Sequence, residues 1–206
     1  MQKIKSLSVA ALTLMFLIVS AQVSAGPKNS RGNSKSLSKS ESQTLMFMRE
    51  EEKMARDVYL TSYDLWEDTI FNNIAGAEQQ HMDALKVLLD KYRLPDPVFE
   101  EIGFFQNPGL QELYDDLVAQ SEESRIEALY VGALIEEVDI IDLVNAINES
   151  RHLDVINVYE KLLRGSRNHL RSFVRKIENE GLVYEAQLLS QEEVDEIVDT
   201  PMERGR

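Results

Sequence analysis

Apolar residues recur at intervals of three and four along most of the chain, and a strand-like alternation is not evident anywhere. The pattern predicts four long helices, over about 44–66, 70–93, 124–148 and 153–180. "LPDPV" (Leu94 to Val98) stops the second, because proline removes a backbone donor and restricts the residue before it. "NPG" (Asn107 to Gly109) then opens a short helix, "LQELYDDLVAQ", inside the connection between the second and third long helices. Near the end, Ser190 and Glu193 form a capping-box pattern at the head of a small peripheral helix. The predicted fold is all-α: two helical hairpins joined by a crossover that contains a short helix, the layout of a ferritin-like four-helix bundle, with other four-helix arrangements equally open to this pattern.

The amino-terminal region follows another pattern. Lys3 and Lys5 precede an apolar run, "LSVAALTLMFLIV", and a small-residue sequence, "VSA", ends at Ala25. This is the build of a secretory signal peptide over 1–25, so a mature protein that is periplasmic or secreted is expected, without a membrane anchor after cleavage; the alternative is an uncleaved anchor, since Ser6 to Ala25 carries no charge and nearly spans a bilayer. Residues 26–43 are rich in Ser, Gly, Asn and Lys and read as a disordered linker. The bundle is expected over 44–180, and residues 181–206 form a tail carrying the short helix.

Composition narrows the chemistry. The chain of 206 residues has a formal charge of −14. Loss of the leader, which holds two lysines and no acid, would make the mature chain still more acidic. Such a charge argues against nucleic acid as a partner and favours cations. There is no cysteine, so thiolate sites and disulfides are excluded.

An acid or histidine in phase with an apolar stripe needs an explanation, because an unpartnered buried carboxylate costs several kcal/mol. In the first helix Glu52 shares a line with Leu45, Met48, Ala55, Tyr59 and Trp66. Glu51 lies on the adjoining line, and phase alone does not separate the two. In the second, Glu78 and His81 share the face of Ile74, Leu85 and Leu88, within "EQQH". The third places Glu136 and Asp139 on a stripe with Leu129, Gly132 and Leu143, and the fourth places His169 with Tyr159, Leu162, Ser166 and Phe173. Each helix thus supplies a metal-liganding type to its inner face, four carboxylates and two imidazoles in all. That set suits two divalent cations, iron or manganese. Each acid could instead be ion-paired with Arg56, Arg167 or Arg171, and each histidine could be a hydrogen-bonded core residue.

"EKMARDVYL" (Glu52 to Leu60) and "EQQH" (Glu78 to His81) resemble the first two helix motifs of ferritins and rubrerythrins. "GALIEEVDIIDL" and "YEKLLRGSRNHLRSF" are similar to a ferritin-like family known as a domain of unknown function. The resemblance favours Glu52 over Glu51 as a ligand. It implies a carboxylate-bridged dimetal centre acting on dioxygen or hydrogen peroxide, as a ferroxidase, peroxidase or catalase-like oxidoreductase, or in iron handling. In that scheme Glu78 and Glu136 bridge, Glu52 and Asp139 are terminal, and His81 and His169 each cap one metal. Tyr59 would hydrogen-bond a ligand or serve in electron transfer. A homodimer is compatible with this reading. The fourth-helix motif departs from the family: Ser166 stands where a second carboxylate is expected, and Asp139 is the residue offered to replace it. The competing expectation is a non-enzymatic helical-bundle interaction protein with a structural or vestigial metal site.

Overall fold

The computed structural model describes residues 36–205. The leader and most of the linker expected over 26–43 lie outside the described residues. Within them the fold is all-α, with six helices: α1 (Lys39–Trp66), α2 (Thr69–Tyr92), α3 (Pro108–Ser121), α4 (Arg125–Glu149), α5 (Leu153–Asn179) and α6 (Gln191–Val198). No described helix is long and apolar enough to cross a membrane.

Side-chain caps set most helix starts. Asp68, Asn107 and Ser124 accept backbone N–H groups at the heads of α2, α3 and α4, and Pro108 occupies the first turn of α3. The capping box at Ser190 and Glu193 opens α6 as its sequence indicates. A second one, Ser38 with Glu41, starts α1 at Lys39, five residues before the expected Thr44. The polar composition of this segment obscured that start. Glu41 is also held by tertiary contacts: it accepts the Arg151 N–H at 2.9 Å and lies 2.8 Å from His152 Nδ1.

α1 packs along α2 and α4 along α5, and the hairpins meet through α1 on α4 and α2 on α5. Buried side chains form two apolar clusters along this bundle. One contains Ala55, Tyr59, Ile74, Leu129 and Phe173, and the other contains Leu45, Leu85, Leu143, Val155 and Tyr159. Chain order through the clusters makes α1 and α5 run one way and α2 and α4 the other. The crossover therefore has to traverse the length of the bundle.

In doing so it covers the outer side of α1. Arg49 bonds Asp96, and Glu50 accepts the backbone N–H groups of Gln106 and Asn107. Lys53 is fully buried, paired with Asp57, donating to the carbonyls of Glu101 and Phe104 at 2.8 and 3.2 Å, and lying over the Phe105 ring. The run from Arg49 to Lys53 is consequently buried all round, each charge but Glu51 with its own partner or cluster.

Candidate metal centre

Midway along the bundle, between the two apolar clusters, each long helix turns polar. α1 passes from Leu45 and Met48 through Glu51 and Glu52 to Ala55 and Tyr59. α2 does so at Glu78 and His81, α4 at Glu136 and Asp139, and α5 at Ser166 and His169. A buried polar layer closed above and below by hydrocarbon results.

Two triplets converge in it. Glu52, Glu78 and His81 offer one ligand atom each, all within 4.8 Å of one another, and Glu78, Glu136 and His169 do the same. Glu78 belongs to both. Its oxygens lie 2.7 Å from His81 Nδ1 and 2.8 Å from His169 Nδ1, yet neither makes an aligned hydrogen bond. His169 Nδ1, Glu52 Oε1 and Glu136 Oε2 are buried without partners as well. Apart from the His81–Glu52 hydrogen bond, these atoms crowd together without aligned bonds to one another, an arrangement that could hold an ion.

Neighbouring residues hold these groups in place. Tyr59 donates to Glu136 Oε1 at 2.6 Å, leaving the other oxygen for the triplet. His81 Nδ1 lies 3.0 Å from Glu52 Oε2. The imidazole of His81 fits only because residue 165 is glycine: a Cβ there would sit 2.5 Å from Nε2. The His81 and His169 rings stack with centroids 5.6 Å apart. Gly132 similarly admits the Phe173 ring below the site.

The electrostatics are those of acids crowded out of water. Burial pushes Glu52 up to about 8, with His81 opposing and Glu78 reinforcing the rise. Burial and the surrounding carboxylates hold Asp139 well above its ordinary range, and burial also raises Glu136. Glu78 goes the other way: burial disfavours its charge, but His169 and His81 outweigh that and lower its pKa. Burial lowers His169, while Glu78 and Glu136 raise it to about 10. Burial and the site's carboxylates put the Tyr59 hydroxyl well above its ordinary value.

Of the six ligands expected from sequence, five fall in the triplets. Glu52 rather than Glu51 joins His81. Asp139 lies outside both triplets, fully buried, with neither oxygen partnered. Ser166 is buried and donates to the Leu162 carbonyl at 3.2 Å, a bond within its own helix. The arginines that might have neutralised the acids are engaged elsewhere: Arg56 with Asp57, and Arg167 and Arg171 with Glu203. Glu137 faces away, accepting the Tyr184 hydroxyl and the N–H groups of Gln187, Leu188 and Leu189. Gly165 escaped the sequence reading.

Residues 41–201 match the family described as "Uncharacterized protein domain (DUF2202)". The chain is 52% identical over 170 residues to "Uncharacterized protein MJ0754" of Methanocaldococcus jannaschii, covering 82% of this chain and 92% of that protein. It is similar to the crystal structure of hypothetical protein MJ0754 from Methanococcus jannaschii DSM 2661, with a TM-score of 0.79 and 49% identity, across 87% of this chain and 100% of that one. The family match spans most of the chain and takes in every polar-layer residue, so the chain belongs to the DUF2202 family.

Proposed function

We propose that the chain is a ferritin-like four-helix-bundle protein whose polar layer holds two divalent cations, iron or manganese, and acts on dioxygen or hydrogen peroxide. One observation carries the reading: Glu78 is shared by two triplets, and both its oxygens are buried without an aligned hydrogen bond. The reversed directions of the two hairpins, joined by a long crossover, also fit a ferritin-like bundle.

The donor set suits these metals. Glu52, Glu78 and His81 would hold one ion, and Glu78, Glu136 and His169 the other, with carboxylate and imidazole as ligands. A bound pair supplies Lewis acidity and electrons for the reduction or disproportionation of a small oxidant. The chain's own part is arrangement. Tyr59 fixes Glu136 and keeps a proton at its hydroxyl, next to the site. Apolar layers above and below limit bulk water. Asp139 is the uncommitted carboxylate that stands in for the one missing at Ser166. The leader fits a protein that works in the periplasm or outside the cell.

Loading the mature protein with Fe(II) or Mn(II) under anaerobic conditions tests the proposal. About two ions per chain should bind, and Glu78→Ala should lose most of both, since each triplet needs that residue. Binding should also raise the melting temperature. A protein that melts identically with and without both metals would overturn the reading. The second reading, an interaction protein with a vestigial site, draws on Ser166, which leaves α5 without a carboxylate in the polar layer. Peroxide consumption by the loaded protein separates the two, because only the oxidoreductase turns it over.

A further inference from the structure

The two triplets are walled off unevenly. Glu52, Glu78 and Glu136 keep 1% or less of their side-chain surface, whereas His81 and His169 keep 13% and 12%. The imidazoles are thus the members of the triplets that reach solvent. Both stand in one seam, between α2 and α5, where their rings stack.

Other sides of the bundle carry a second layer of chain. The crossover covers the outer side of α1. The tail after α5 lies over α4 and the outer side of α5: Glu137 accepts the Tyr184 hydroxyl at 2.7 Å and the Leu189 N–H at 2.8 Å, and Glu203 pairs with Arg167 and Arg171. Among the described helices α2 touches only α1 and α5, so no helix covers its seam with α5. Ion pairs pin the two ends of that seam, Lys91 with Asp154 at 2.8 Å and Lys176 with Asp68 at 3.1 Å. Its middle is small. Half-buried Ala77 and Ala84 stand about one turn to either side of His81, and Gly165 faces the His81 ring from α5. The ring abuts the α5 backbone there, since a Cβ at 165 would lie 2.5 Å from Nε2. With the His169 ring alongside, a bulky molecule has no room to pass.

We propose that the α2–α5 seam is the entrance to the polar layer, with the His81 and His169 rings at its inner edge. It admits metal ions and oxidants of the size of dioxygen or hydrogen peroxide, and it excludes organic hydroperoxides. Glu78 lies directly behind both rings, 2.7 and 2.8 Å from their Nδ1 atoms, so an arriving ion meets at once the carboxylate that both triplets share. What enters rests on the dimetal reading above; where it enters rests on the burial pattern.

The chain has no cysteine, so one introduced thiol can be blocked selectively after folding. Ala77→Cys and Ala84→Cys place it in the seam, and Val183→Cys, exposed on the tail, is the control. Each full chain is labelled with benzyl methanethiosulfonate, and Mn(II) uptake by metal-free protein is timed. Both seam adducts should load more slowly by roughly tenfold, the scale on which association rates respond to an obstructed approach. They should bind as many ions at saturation as unlabelled protein, and a reductant should restore the rate. The control adduct should load at the wild-type rate. Hydroxyl-radical footprinting reads the opening without metal: the seam adducts should protect His81 and His169, and the control should not. Loaded wild type should consume hydrogen peroxide and leave cumene hydroperoxide untouched, and equal turnover of both would refute the size limit. Two ions bound at wild-type rate by both seam adducts would overturn the entrance while leaving the dimetal centre standing. Imidazoles equally reactive under the seam adducts would overturn it too. No uptake by unlabelled protein, with the imidazoles still protected by the adducts, would refute the dimetal centre and keep the seam as the opening of the layer.

Discussion

Gly165→Ala isolates the geometry of the first triplet with the smallest available change. The added Cβ would lie 2.5 Å from His81 Nε2 and 2.6 Å from Cε1. Comfortable contact begins near 3.5 Å, so the ring must retreat by about 1 Å. Its Nδ1 is held 3.0 Å from Glu52 and 2.7 Å from Glu78, and a shift of that size breaks the convergence of the triplet. Metal sites tolerate only about 0.2 Å in ligand distance, so affinity at this triplet should fall by roughly 10- to 100-fold. With Mn(II) at a hundred times the wild-type dissociation constant, a site stabilises the fold by about 2.7 kcal/mol. A tenfold weaker site stabilises it by about 1.4 kcal/mol.

Calorimetric titration and the metal-induced rise in melting temperature measure this loss. Gly76→Ala is the control. It also replaces a helical glycine, but its Cβ meets nothing within 4 Å. It should keep the full metal response and gain about 1 kcal/mol from helix propensity. A further readout needs no metal. Burial lowers the His81 pKa, whereas Glu52 and Glu78 raise it well above the ordinary imidazole value. A ring pushed away from those carboxylates should titrate lower by NMR. A Gly165→Ala protein with wild-type metal response and an unchanged His81 titration would refute the cradle argument.

Two further predictions concern the scaffold. Burial disfavours the Glu41 charge, but His152, the Arg151 N–H and Ser38 hold its pKa at about 2, against an ordinary 4.5. A depressed folded-state pKa contributes stability above the unfolded value and loses it as pH falls through the folded one. Glu41→Gln should therefore cost up to about 3 kcal/mol at pH 7 and about 1.4 kcal/mol at pH 3. Urea melts of both proteins at the two pH values check this, and a gap that fails to narrow in acid refutes it. Lys53→Met removes a fully buried ammonium from Asp57 and two carbonyls. It should destabilise the fold by about 3 kcal/mol without changing metal uptake. Denaturation midpoints within error of wild type would show that Lys53 is dispensable.

The long helices and their inner faces were legible in the sequence because periodicity reports which side of a helix is dry. Glu78, His81, Glu136 and His169 were found that way, and all four converge. Phase failed where the environment is not two-sided. α1 is covered by its partners on one side and by the crossover on the other, so Glu51 and Glu52 are both fully buried. The early start of α1 depends on Glu41 meeting His152 across 111 positions of chain, which no local window contains. Gly165 carried no signal of its own. Its role exists only against the His81 ring on another helix.

A buried layer this rich in carboxylates costs the fold more than it returns. Glu51, Glu52, Glu78, Glu136 and Asp139 are buried to within 1% of full exclusion, and the layer offers two imidazoles against them. Even with both imidazoles charged, the acids outnumber the cations. Crowding disfavours their charged forms: burial raises Glu52 to about 8, and burial and neighbouring acids hold Glu51 and Asp139 well above their ordinary range. Well-packed apolar residues in the same place would serve the fold as well or better, since buried charge seldom repays its desolvation. Cations bound there would replace mutual repulsion with coordination, so metal uptake should stabilise the fold and release any protons the acids hold.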